Sequence, residues 1–132
     1  MKLIVCLDVK NGLAFHNQRQ SSDLVVTKKI LELTQGRKLW MNNYSGYLFA
    51  DFQRNIQIDE DFLDKAAEED YCFAEITDIK PYIRKVRELY VFRWNRVYPA
   101  DLRFPQIPAK ARVLAEFSGN SHEKITLEEY RL

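Results

Sequence analysis

The stretch "NQRQSSDLVVTKKI", residues 17–30, gathers the side chains best suited to chemistry. Asp23 is its one acid; it follows Ser21 and Ser22 and opens an apolar helical run. A carboxylate there can meet the positive end of a helix dipole, or it can face a cleft and pair with a cationic ligand. His16 lies in the preceding loop, and a general acid–base pair with Asp23 is one reading; a solvated loop histidine is the favoured one. Ser21 and Ser22 have no His/Asp set nearby that would activate a serine, so capping of the helix explains them. His16 and His122 are far apart and neither belongs to a ligand-spaced motif, which predicts no metal site. Cys6 and Cys72 sit in apolar runs without a CxxC and read as buried thiols. Neither GxxxxGK[ST] nor GxGxxG occurs, so the familiar phosphate cradles are absent.

A chain of 132 residues with 46% hydrophobic and 13% aromatic content predicts one globular domain spanning 1–132. The apolar start "MKLIVCLDVKNG" is too short for a secretory segment. No run approaches the roughly 20 apolar residues of a membrane span. The expected setting is the cytoplasm, with no membrane partner. Net charge is +1, yet charge is unevenly spread. Residues 59–78 hold nine acids and one Lys, whereas residues 80–112 hold nine basic residues and two acids. In the basic stretch Tyr82, Tyr90, Phe92, Trp94, Tyr98 and Phe104 are interleaved. Such a pattern could bind nucleic acid, though a strand with outward arginines and inward aromatics is the favoured reading.

These residues must be positioned by alternating elements. "KLIVCLDV" predicts a strand over 2–8, buried on both faces by its continuous hydrophobicity. A polar loop, "LAFHNQRQSS", then leads to a helix over 23–35, capped by Ser21 or Ser22 and closed by a left-handed Gly36. A strand at 37–42, a short helix over 44–53 entered by Asn43 or Ser45, and a strand at 55–58 follow. Residues 59–70 predict an acidic helix, 71–76 a strand, and 78–88 a helix with Pro81 in its first turn. Residues 89–97 alternate as a strand with one wet face. Two last strands flank the turn "SGNSH". Alternating βα units require a mainly parallel sheet with helices on both faces, and the last two strands add an antiparallel edge. Ligands bind such sheets beyond the carboxyl ends of the strands, which puts Asp23 near the expected cleft.

The order of these pieces resembles the dihydrofolate reductase family over most of the chain. "LIVCLDVKNGLAF" looks like the family's opening strand and loop, and "SSDLVVTKK" is similar to its P-x-D-L-x-x-F-K helix start. "LWMNNYSGYLF", "RNIQI" and "YCFAEITDIKPYIRKVRELYVFRW…ADLRFP" follow in the family's order, with "VLAEFSGNSHEKITLEEYRL" as its closing strands; a βα unit is missing around 59–70. The resemblance implies a single-domain α/β fold in which Asp23 matches the carboxylate that holds the substrate pterin. It also matches Ser45 to a helix-capping Thr, whereas Phe92 stands in place of the Thr that supports the acid's hydrogen-bond network. Departures fall on the cofactor side. The paired glycines that approach the pyrophosphate of NADPH are Glu75-Ile76-Thr77 here, and bulk and charge both oppose a diphosphate there. Asn42-Asn43 replace a Gly-Arg, and Gln18 replaces a loop Trp. The resemblance therefore implies a binder of a small heterocycle such as a pterin or pyrimidine, with Asp23, Ser45 and Phe92 as ligand-side residues and without the usual reduction. An active reductase with an altered cofactor site is one alternative. A nucleic-acid or partner-binding module using Arg84, Arg93, Trp94 and Arg96 is another, less favoured.

Overall fold

The computed structural model describes residues 1–52 and 55–132. The apolar N-terminal run forms β1 (Lys2–Leu7), followed by β2 (Gly12–Phe15), β3 (Gln18–Arg19) and α1 (Leu24–Leu33). Then come β4 (Leu39–Met41), α2 (Asn43–Gly46) with a 3₁₀ turn at Tyr47–Phe49, β5 (Ile56–Ile58), α3 (Phe62–Lys65) and β6 (Tyr71–Phe73). A 3₁₀ segment (Lys80–Lys85), β7 (Glu88–Arg93), β8 (Leu102–Arg103), β9 (Arg112–Phe117) and β10 (Ile125–Arg131) complete the chain.

Seven strands form a mixed sheet in the order β5-β4-β6-β1-β7-β10-β9. The first five are mutually parallel, while β10 runs antiparallel to both β7 and β9. The fold is α/β with few helices. Because β1 lies mid-sheet, alternate side chains enter two separate cores. Leu3, Val5 and Leu7 pack with Phe62, Leu63, Ile79 and Val86 on one face. Ile4 packs with Val26, Ile30, Phe73, Phe92 and Trp94 on the other. Burial of both faces is what makes the strand continuously apolar. Among the described residues no helix is long and apolar enough to cross a membrane.

Several elements differ from the sequence expectation. The polar loop contains a hairpin: Ala14 pairs with Arg19 and Phe15 with Gln18. Its two-residue turn, His16-Asn17, has φ of 51° and 58°, the left-handed pair that matches the twist of a hairpin. With β8, this hairpin makes a second, three-stranded sheet. The cap of α1 is Asp23 rather than a serine, its carboxylate accepting from the Val25 N–H. Leu24 points to solvent, and Val26, Thr27, Ile30 and Leu31 form the buried stripe. Gly36 takes φ 78° beyond the helix end, as expected. Asn42, not Asn43 or Ser45, caps α2, which tightens into a 3₁₀ turn by Tyr47. Gln53, at the end of the helix expected over 44–53, and Arg54 of the "RNIQI" piece lie outside the described residues.

The acidic helix expected over 59–70 shrinks to the single turn of α3. Asp61 makes no side-chain cap and Ala66 is already extended at ψ 134°; burial of Phe62 and Leu63 is satisfied by that turn alone. The helix expected over 78–88 is 3₁₀, with Pro81 in its first turn. The strand expected over 89–97 ends at Arg93, where its partner on β1 ends. On its predicted wet face Val91 is 0% exposed, whereas Arg93 is half-buried and Asn95 exposed. The two cores cover the faces of β7, burying Leu89 and Val91 on one side and Tyr90 and Phe92 on the other.

Candidate functional site

Beyond the carboxyl ends of β1 and β6, a narrow cleft opens against the start of α1. Cys6, Ser21, Asp23, Glu75 and Trp94 supply its polar and aromatic wall, and Val26, Ile30, Leu48 and Phe73 its apolar wall. Its cavity volume is about 10 Å³, room for about one water molecule and far below the 300–1,000 Å³ common for small-molecule sites. Two hydrogen-bonded clusters fill its margins.

The first is centred on Asp23, 4% exposed. Oδ1 accepts from the N–H of Val25 at 2.9 Å and of Asn120 at 3.1 Å. Oδ2 accepts from the Ser121 N–H at 2.9 Å and hydroxyl at 3.0 Å, and lies 3.1 Å from His122 Nδ1. Burial alone would raise the Asp23 pKa; the amides of Ser121 and Asn120, His122 and the Val25 amide outweigh it and hold the carboxyl well below its ordinary value. The other ring nitrogen of His122, Nε2, lies 3.1 Å from Ser21 Oγ and 3.0 Å from the Tyr98 hydroxyl. Trp94 stacks on the imidazole at 4.5 Å and 23°. In the tautomer that carries its proton on Nδ1, facing the Asp23 carboxylate, Nε2 accepts from a hydroxyl. Ser21, His122 and Asp23 thus stand in the order of a nucleophile, base and orienting acid.

The second cluster is centred on Glu75, 5% exposed. The Arg19 guanidinium donates to it twice, Nε at 2.8 Å and a terminal nitrogen at 2.9 Å, in the fork geometry of strong carboxylate recognition. Ser45 donates its hydroxyl to the same carboxylate at 2.8 Å. Tyr44 lies under the guanidinium, 4.3 Å from ring centroid to Cζ, and accepts the Arg19 N–H on its hydroxyl. Burial disfavours the Arg19 charge, but Glu75 outweighs it and raises the pKa. Burial, then the neighbouring Glu75 charge, push the Cys6 thiol well above its usual range, so Cys6 is a poor thiolate.

Asp8 organises the loops behind both clusters. Its carboxylate accepts from the N–H of Lys10, Gly12 and Tyr98 and from Gln20 Nε2. Burial would raise its pKa, yet the amides of Gly12, Tyr98 and Lys10 lower it.

Of the expected ligand-side residues, Asp23 lines the cleft with both oxygens engaged, and Ser45 reaches the cleft through Glu75 as a donor within α2 rather than as its cap. Phe92 is fully buried in the core, edge-to-face with Phe117 at 6.3 Å, and is not part of the cleft wall. His16 sits exposed at the hairpin tip, stacked on Phe15; the histidine that meets Asp23 is His122. The partner set that Ser21 lacked in the local sequence comes from the chain's other end. Tyr90, Phe92 and Trp94 are buried, and Arg93 is committed to Glu128, Asn11 and the Asp8 carbonyl. The basic-aromatic strand therefore presents none of these three rings for stacking on bases.

Arg19, Tyr98, His122 and Asp8 were not among the expected site residues. One local signal pointed to the His122 loop, the small residue Gly119 in "SGNSH". A Cβ on Gly119 would lie 2.2 Å from Asp23 Oδ2 and 2.7 Å from its Cγ. Gly119→Ala is therefore expected to cost about 1–3 kcal/mol in urea unfolding, as overpacking of a filled site does; an unchanged midpoint would show that the loop yields freely. Among the described residues no group of three His, Cys, Asp or Glu is arranged to hold a metal ion. No protein-family model matches the chain, and no curated protein matches it.

Proposed function

We propose that this chain is a small-molecule-binding protein with a shortened dihydrofolate-reductase-like fold, taking a planar heterocycle with an amidine-like edge, such as a pterin or diaminopyrimidine, without NADPH-dependent reduction. Support for the fold comes from a central first strand, a first helix opening at Asp23, and antiparallel last strands beside a parallel core. The observation that carries the reading is the Arg19–Glu75 pair. A buried carboxylate that holds a planar guanidinium by two parallel bonds, over an aromatic ring, performs internally the recognition that an amidinium ligand needs. The same pair, with Ser45, occupies the region where the resemblance puts the glycines that admit a diphosphate. In this reading a ligand takes the place of Arg19 on Glu75. Asp23 would contact a ligand only after release of the 118–122 loop, because its oxygens are engaged.

Thermal unfolding with added ligands tests this. A heterocycle at about 100 times its Kd is expected to add about 2.7 kcal/mol of stability, a rise of roughly 8–13 °C for a chain of this size. NADPH is expected to leave Tm unchanged. A rise with NADPH would instead support the altered-reductase reading. No rise with any pterin or diaminopyrimidine, in the native chain or in Arg19→Ala, would overturn heterocycle binding.

A further inference from the structure

We propose that Ser21 is a reactive nucleophile, with His122 as its base and Asp23 orienting the imidazole, and that it accepts the acyl group of a small ester bound at the mouth of the cleft. Three separate observations meet at this point. The chain Ser21 Oγ, His122 Nε2, His122 Nδ1, Asp23 Oδ2 is continuous, with both links at 3.1 Å. The imidazole is fixed rather than free, since it is 4% exposed, stacked on Trp94 and clamped by a carboxylate that also accepts from the Val25, Asn120 and Ser121 amides and the Ser121 hydroxyl. Ser21 itself is only partly buried and lines the cleft, next to the buried apolar side chains of Val26, Ile30 and Phe73. Capping does not account for this arrangement, because Asp23 alone caps α1.

The chemistry balances on these groups. As Ser21 Oγ bonds to the ester carbonyl carbon, its proton passes to His122 Nε2. Collapse of the adduct breaks the carbon–alkoxy bond, and the leaving alkoxide takes that proton. Water, deprotonated by the same nitrogen, then releases the acid and restores Ser21. The Tyr98 hydroxyl shares Nε2 with Ser21, and one lone pair accepts one proton donor at a time, so Tyr98 holds the base back from Ser21.

Treatment of the native chain with an alkyl fluorophosphonate, followed by peptide mass analysis, tests the nucleophile. Fluoride departs as the Oγ–phosphorus bond forms, and the Ser21 proton passes to His122 Nε2. A single adduct on Ser21 and none on the adjacent, more exposed Ser22 is expected, and it should vanish when the chain is unfolded in urea. His122→Gln should slow labelling by at least about 100-fold, the usual contribution of a general base, and Tyr98→Phe should speed it. With p-nitrophenyl acetate the native chain should release a burst of about one equivalent of nitrophenolate, the mark of an acyl-enzyme, and Ser21→Ala should abolish it. Should His122→Gln not fold, the Ser21 against Ser22 comparison and the urea control decide alone. No adduct, equal labelling of the two serines, or labelling that survives unfolding would overturn the proposal.

Discussion

Asp23→Ala is expected to destabilise the chain by about 3–5 kcal/mol in urea unfolding. Loss of the helix cap accounts for about 1 kcal/mol of this. The remainder comes from the part-buried hydrogen bonds of the Asn120 and Ser121 amides to this carboxylate; a hydrogen bond to a charged group contributes about 1.5–3 kcal/mol, and the exposure of both residues favours the lower end. The contribution should depend on pH in a defined direction. The folded pKa lies below the unfolded value, so the stabilisation is fully present above the ordinary carboxylate range near pH 4 and is lost as pH falls below it. Wild type should therefore lose stability on acidification more steeply than Asp23→Asn, which has no such proton to take up. Parallel curves for the two proteins would show that the 118–122 loop does not depend on the carboxylate charge.

The second large effect concerns Arg19 and Glu75. Arg19→Met leaves a carboxylate that is 5% exposed with Ser45 as its remaining side-chain donor. Breaking a buried pair in this way costs about 3–5 kcal/mol; because the Arg19 side chain is 24% exposed, water offsets part of that and about 2–3 kcal/mol is expected. Replacing both, Arg19→Met with Glu75→Leu, should return stability to within about 1 kcal/mol of wild type, since apolar groups of similar volume replace buried pairs with little loss. A double-mutant cycle measures the difference. Additive single effects would show that the pair is not coupled. The same Arg19→Met protein also bears on ligand binding: removal of the internal guanidinium should tighten diaminopyrimidine binding even as it weakens the fold.

Much of the architecture was legible in residue order. The unbroken apolar run of β1 signalled burial on both faces, and alternation of strand and helix patterns predicted a largely parallel sheet with antiparallel last strands. Asp23 was correctly read as the acid at a helix start near a cleft. Element lengths were less legible. The segments 59–70 and 78–88 carry helical spacing, but spacing reports only which residues prefer burial; α3 satisfies Phe62 and Leu63 in one turn. The hairpin at 12–19 was hidden because its turn uses His16 and Asn17 in left-handed backbone, a signal weaker than the usual Asn-Gly.

What residue order by itself determined is therefore local: which runs are strands, where a helix begins, and which residue types near Asp23 could bear charge. Which of those residues meet was decided by tertiary structure alone. His122 reaches Asp23 across 99 residues and Arg19 reaches Glu75 across 56. Both meetings depend on strand order, which brings the 118–122 loop and the β2–β3 hairpin to the same end of the sheet. Periodicity records the environment each residue needs, but a hydrogen-bond partner is chosen by the path of the whole chain.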